Sequence, residues 1–167
     1  MSTPRTATLH DGEPLPIVVL GREDAGELLT LQRAAYVTEA AAHHDFGLPP
    51  LTQTLGELEA ELANPSVTAL GIRDNGRLVG SIRLRASGSV IELGRLIVAP
   101  DRQGEGIGTR LLLHAETVHR GVRELRLFTG EHSTANLRLY TRHGYRETGR
   151  TSAGAYQLVH LAKSLPD

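Results

Sequence analysis

One α/β (α+β) domain, with a mixed, mostly antiparallel sheet flanked by helices, is the architecture this sequence predicts, on three observations. Two segments with apolar residues at helical spacing come first. Three strand-like runs separated by turn dipeptides follow, and strand and helix then alternate to the C-terminus. The length of 167 residues fits one core, because domains most often run to about 100–150 residues and two would leave each core thin. Aromatics supply only 4% of the chain, so Leu, Val, Ile and Ala must build that core.

Residues 1–14, with Pro4, Gly12 and Pro14 and no periodicity, read as a flexible leader, and residues 15–167 as the folded domain. Residues 16–20 are a short apolar run, a first strand. From Asp24, a reasonable N-cap, to about Ala42, the residues Leu28, Leu31, Ala35 and Val37 recur at roughly helical spacing. Residues 43–51 break that pattern, and Pro49-Pro50 argues against regular helix there. Thr54 opens a second helix carrying Leu55, Leu58 and Leu62, which ends near Asn64-Pro65. Residues 67–73, 77–85 and 89–98 read as strands, with Asn75-Gly76 and Ser87-Gly88 where hairpin turns belong. In the middle strand Leu78, Gly80, Ile82 and Leu84 alternate with Val79, Ser81, Arg83 and Arg85, which predicts one wetter face. A glycine-rich loop leads into an amphipathic helix with Ile107, Leu111, Leu112, Ala115 and Val118 on one side and Gly121 as its stop. Residues 125–129 form a strand, residues 133–143 a short helix closed by Gly144, and residues 145–151 and 155–161 the last two strands.

Composition removes several functional classes. A net charge of −1 offers no basic footprint for nucleic acid and no pull towards an anionic membrane. The absence of cysteine removes disulfides, thiolate nucleophiles and cysteine metal sites together. No apolar run approaches the roughly 20 residues that span a bilayer, and residues 1–13 lack the apolar stretch of a secretory signal. A cytoplasmic address is therefore expected. His43, His44 and Asp45 form a small cluster, but no further ligand stands at a convincing spacing, so a solvated loop and no metal are expected.

The stretch Val98-Ala99-Pro100-Asp101-Arg102-Gln103-Gly104-Glu105-Gly106-Ile107-Gly108-Thr109 carries the most chemistry. It joins the end of a strand to the start of a helix, where unpaired N–H groups and the helix dipole together favour a phosphate. Glycines at alternate positions let the backbone approach an anion closely. A P-loop would need lysine after its glycines, and a dinucleotide fingerprint would need Gly-x-Gly-x-x-Gly after an early parallel strand. Gly104, Gly106 and Gly108 satisfy neither. The spacing Gln103-x-x-Gly106-x-Gly108 instead resembles Gln/Arg-x-x-Gly-x-Gly/Ala, the coenzyme A loop of the GNAT superfamily of N-acyltransferases. The order of elements is also similar to that family's over nearly the whole chain, which implies a single GNAT-like domain.

The resemblance implies transfer of an acetyl group from acetyl-CoA to an amine of a small molecule or peptide, by direct attack in a ternary complex. The amides of Gln103, Gly104, Glu105, Gly106, Ile107, Gly108 and Thr109 would then hold the pyrophosphate. The backbone of Leu96, Ile97 and Val98 would pair with the pantetheine arm, and an N–H near Ile97 or Val98 would meet the oxyanion. In the family that strand bulges and splays from the next, a property carried over as an expectation. Tyr140 matches the family's general acid, within Asn136-Leu-Arg-Leu-Tyr140-Thr-Arg-His-Gly144-Tyr145. A phenol titrates near about 10 and a thiol near about 8.5, so positioning must carry much of its effect. The other reading of Tyr140 is a core tyrosine with a satisfied hydroxyl. Asn136, one turn earlier, either meets the coenzyme A arm or caps its helix.

Glu92 stands eleven residues before Gln103, where some family members place a base. Its structural reading is an ion pair with Arg83 or Arg95. Tyr36, Glu39 and Phe46 fall where the family lines its acceptor pocket, and Glu39, Asp45 and Glu92 together would make an acidic cleft for a cationic amine. Family members also often dimerise through their late strands. Two rival readings remain: a non-catalytic acyl-CoA-binding sensor of the same fold, and a nucleotide-binding module.

Overall fold

The computed structural model describes residues 13–166, so the expected leader lies outside the described residues except for Glu13 and Pro14. One sheet contains seven strands: β1 (Ile17–Leu20), β2 (Val67–Asp74), β3 (Arg77–Ser87), β4 (Val90–Val98), β5 (Glu124–Gly130), β6 (Arg146–Ser152) and β7 (Gln157–Ser164). They lie in the order β1-β2-β3-β4-β5-β7-β6, and among the described residues β4 with β5 is the single parallel pair. The helices among the described residues are α1 (Ala25–His43), α2 (Pro49–Thr52), α3 (Leu55–Ala63), α4 (Ile107–Ala115) and α5 (Thr134–Arg142).

The sheet is covered on both faces. Leu70, Ile82, Leu84, Ile91 and Leu93 pack with Ile107, Leu111 and Leu112 of α4 and Tyr140 of α5. Ala69, Leu78 and Ile97 pack with Leu28, Leu29 and Leu31 of α1 and Leu58 of α3. This second layer overturns the expected wetter face of β3: Ser81 and Arg83 are 1% and 4% exposed, and Val79 is buried in the first layer. The charge of Arg83 survives burial because Glu61 of α3 meets it at 2.7 Å and the Gln32 side chain accepts from its other nitrogen. Burial lowers the pKa of Arg83, and the Glu61 charge opposes that shift.

Local chemistry explains most boundaries. Asn75 and Gly76 have φ of 49° and 83°, as a two-residue type I′ hairpin turn requires. The second hairpin is centred on Gly88 and Ser89, one residue later than expected, because Gly88 takes φ 59° at the first turn position. Thr54 caps α3, accepting from the Glu57 N–H while the Glu57 carboxylate accepts from the Thr54 N–H. Contrary to expectation, Pro49 and Pro50 start α2. A first turn does not use those N–H groups, so proline is excluded from a helix interior and not from its start. Helix α4 stops at Ala115, before Val118 and Gly121, because the Thr117 amide and hydroxyl both take the His114 carbonyl, at 2.9 and 2.8 Å. Val37 of α1, which recurs with Leu28 and Leu31 at roughly helical spacing, is 51% exposed.

Helix α4 lies close to β3 because Gly80 presents no side chain. A Cβ built there would sit 2.5 Å from Ile107 Cγ2 and 3.1 Å from Leu111 Cδ1. Gly80→Ala is therefore expected to destabilise the fold by about 1–3 kcal/mol through overpacking. Denaturant melts would check this, and an unchanged midpoint would contradict the close approach.

Candidate active site

Strand β4 contains one residue more than its partner β3 can match. Ser81 pairs with Ile97 and Arg83 with Gly94, so the register slips between them, and Arg95 takes φ 51°. The slip reverses which face the side chains address. Ile91 and Leu93 point into the α4 layer, whereas Ile97 points into the α1 layer. Just before the slip, after Glu92, β4 also parts from β5. The two pair only at Val90–Glu124, Ile91–Leu125 and Glu92–Arg126. The bulge and splay carried over from the resemblance are thus both present. They open a cavity of about 860 Å³, with the unpaired edge of β4 along one side and α1, α4 and α5 around it.

The loop after β4 forms one end of this cavity. Gly104 and Gly106 have φ of 79° and 81°, where a side chain would be strained, and Gly106 is the N-cap of α4. Gly106 offers no side-chain acceptor, so the first amides of α4 are available to an anion. The loop is braced from outside. Arg77 donates twice to Asp101, at 2.7 Å each, and Arg102 reaches Asp74 at 2.8 Å and Glu105 at 2.8 Å. Leu96, Ile97, Val98, Gln103, Gly104, Gly106, Ile107, Gly108, Thr109 and Asn136 line the cavity. Glu105 does not, because its carboxylate is turned onto Arg102.

The other end gathers polar groups from α1, α5 and the loops beside them. Tyr140 is 6% exposed and packs edge-on against Tyr145, at 5.9 Å between ring centres. Its hydroxyl makes no hydrogen bond to any described residue, and burial, aided by Tyr36 and Glu39, pushes its pKa well above the ordinary phenol value. Burial likewise raises Tyr36, and the nearby Arg95 and Arg83 pull it back. Glu39 accepts from the Ser133 hydroxyl and, at 3.5 Å, from the Asn136 amide. Asn136 therefore turns towards Glu39, and neither it nor Ser133 caps α5 with its side chain.

His43 is buried, which overturns the expected solvated loop. Its Nδ1 donates to the Glu39 carbonyl at 2.9 Å and its Nε2 accepts the His132 N–H at 3.1 Å. A carbonyl only accepts and an amide only donates, so Nδ1 is the donor of this ring and Nε2 its acceptor. Among the described residues no cluster of acidic and histidine side chains could hold a metal. Tyr156, not anticipated from sequence, stacks on His43 at 4.6 Å and donates to Asp45 at 2.8 Å, closing the β6–β7 turn over this end. Burial, with help from the Asp45 hydrogen bond, pushes its phenol up to about 12.

Two expected site residues lie elsewhere. Glu92 is exposed, opposite Arg85 and Arg126 rather than Arg83 or Arg95, and does not line the cavity. It precedes the bulge, so counting back from Gln103 misjudges its side. Phe46 is 65% exposed and outside the cavity, since Asp45 Oδ1 accepts the Gly47 N–H and the tight turn projects Phe46 outward. The expected acidic trio is thus reduced to Glu39 and Asp45, and Arg95 enters the lining instead. Tyr36 and Glu39 line the cavity as expected.

The loop brace predicts a titration. The Arg77 hydrogen bonds hold the Asp101 carboxyl down at about 2, so the pair persists in acid and is lost only as pH falls through that value. NMR titration should find this midpoint and should find it back in the ordinary range in Arg77→Gln. An ordinary value in the parent protein would remove the brace.

The Acetyltransferase (GNAT) family pattern matches residues 30–145. UPF0157 protein YqkA of Bacillus subtilis is 28% identical over 142 residues, covering 85% of this chain and 40% of its own length. Spermidine N(1)-acetyltransferase of Thermoplasma acidophilum is 29% identical over 94 residues, 55% of this chain and 58% of its own. The chain thus spans roughly half the length of these curated relatives. The crystal structure of PaiA N-acetyltransferase from Thermoplasma acidophilum, in complex with coenzyme A, shares the fold with a TM-score of 0.79 at 22% identity. It covers 90% of this chain and 99% of that one. With the match running from α1 through β4 and its loop to the end of α5, the chain belongs to the acetyltransferase (GNAT) family.

Proposed function

We propose that this chain transfers an acetyl group from acetyl-CoA to a small-molecule amine, by direct attack while both substrates are bound. The observation that carries this reading is the open β4 edge, which runs from the polar end of the cavity to the bare N-terminus of α4. An extended pantetheine arm can add to Leu96, Ile97 and Val98 as a strand would. The pyrophosphate then falls on amides between Gln103 and Thr109, with Glu105 contributing backbone alone.

Chemistry takes place at the other end. Glu39 replaces Glu92 as the proton acceptor, since it lies in the cavity wall, oriented by Ser133 and Asn136. Its carboxylate draws in the substrate ammonium and takes one proton, freeing the nitrogen lone pair to form the C–N bond. Backbone N–H groups near Ile97 and Val98 meet the oxyanion as the C–S bond breaks. Tyr140 gives its proton to the departing sulfur and regains one from the new amide nitrogen, leaving free thiol and a neutral phenol. A hydroxyl free of protein partners within the cavity supports this role over a non-catalytic sensor. We place the reaction in the cytoplasm, without metal.

Acetyl-CoA at about 100 times its dissociation constant should add roughly 2.7 kcal/mol to stability, while ATP and NAD should not. Equal or larger shifts with ATP or NAD would overturn the donor site. Tyr140→Phe and Glu39→Gln should each lower kcat by about 100-fold with the acetyl-CoA shift retained, and Glu92→Gln should leave kcat unchanged. Because Tyr140 loses its proton only above the ordinary phenol range, the rate should hold through pH 10. Full activity in Tyr140→Phe would remove it from the mechanism.

A further inference from the structure

Three arginines stand in or under the cavity wall, and two of them are neutralised. Arg83 is met by Glu61, and Arg102 by Asp74 and Glu105. Arg95 lines the cavity, has no acidic partner among the described residues, and has its Nε buried without a hydrogen bond. The bulge is what puts it there. In an unbroken strand Arg95 would follow Ile91 and Leu93 towards α4, but at φ 51° it lies beside Tyr36 of α1. A guanidinium held this way lacks a planar acceptor, and a carboxylate offers two oxygens to its fork.

We infer that Arg95, with the Tyr36 hydroxyl, receives a carboxylate of the acceptor, so that the substrate is a small amino acid rather than a polyamine or a plain amine. The inference rests on the acetyl-transfer reading above. Tyr36 and Glu39 are one helical turn apart on α1, about 5–6 Å between their Cβ atoms. Tyr140 is close enough to both for each to raise its pKa. A carboxylate on Arg95 therefore leaves the amine a few bonds away, beside Glu39 and Tyr140, as in an amino acid whose two groups are close together. A peptide N-terminus has its carboxylate too far off, and spermidine has none.

Thiol release from acetyl-CoA, measured with the common amino acids, their primary amides and spermidine, tests this. At least one amino acid should exceed its own amide and spermidine in kcat/KM by about 100-fold, the discrimination expected when a buried charged group loses its partner. Arg95→Gln should remove that preference by raising KM for the acid far more than for its amide, and Arg95→Lys should restore part of it. Thermal stabilisation by acetyl-CoA should be the same in all three proteins. If acetyl-CoA stabilises the protein but amides or spermidine match or exceed every amino acid, the inference falls and the acetyl-transfer reading stands. Equal losses on acid and amide in Arg95→Gln would also overturn it, marking a structural arginine. If acetyl-CoA does not stabilise the protein, both fall.

Discussion

The single extra residue in β4 is the constraint on which the site depends. A strand that keeps perfect register with both neighbours has no free edge, and its side chains alternate without exception. The slip between Ser81 and Arg83 breaks the second condition, and the parting of β4 from β5 after Glu92 breaks the first. The slip carries Ile97 to the opposite face from Leu93, and the parted β4 backbone presents hydrogen-bonding groups that an extended ligand can complete. The slip also re-aims Arg95. The open β4 edge and the aim of the Arg95 guanidinium both belong to this irregular stretch of backbone.

An opened sheet needs its walls held from outside, and polar contacts do this. Glu27 of α1 accepts the Leu78 N–H at 2.7 Å, and Arg73 bridges Glu27 and Asp24. Deeper, Gln32 donates to the Pro50 carbonyl at 2.8 Å and accepts from Arg83, which Glu61 neutralises. These bonds fix the rotation of α1 and the start of α2 together. Since Tyr36, Glu39 and His43 are three and then four residues apart, that one rotation sets all of them over the gap. His43 then fastens the end of α1 to the loop before α5 through its ring.

What the sequence disclosed follows the range of the chemistry involved. Asn75-Gly76, the start of α3 at Thr54 and the glycines of the loop are local features carried by residue type, and they stand where they were read. The alternating pattern of β3 was misleading because burial of Ser81 and Arg83 depends on α1 and α3, which lie elsewhere in the chain. Glu92 failed for a related reason: a count along a strand loses its meaning across a bulge, and no residue type announces this one. Arg95 was visible as a charge amid apolar neighbours, but only the register shows which way it turns. Tyr156 reaches the site through a contact with Asp45 that spans most of the chain, beyond any local pattern.

The three residue pairs that join β4 to β5 also mark a seam in the sheet. Strands β2, β3 and β4 form a meander closed by short turns, and β5, α5, β6 and β7 form a second continuous stretch of chain. Among the strand pairings of the described residues this one has the fewest paired residues, so the sheet can widen there at the least cost in hydrogen bonds. The groove lies along that line.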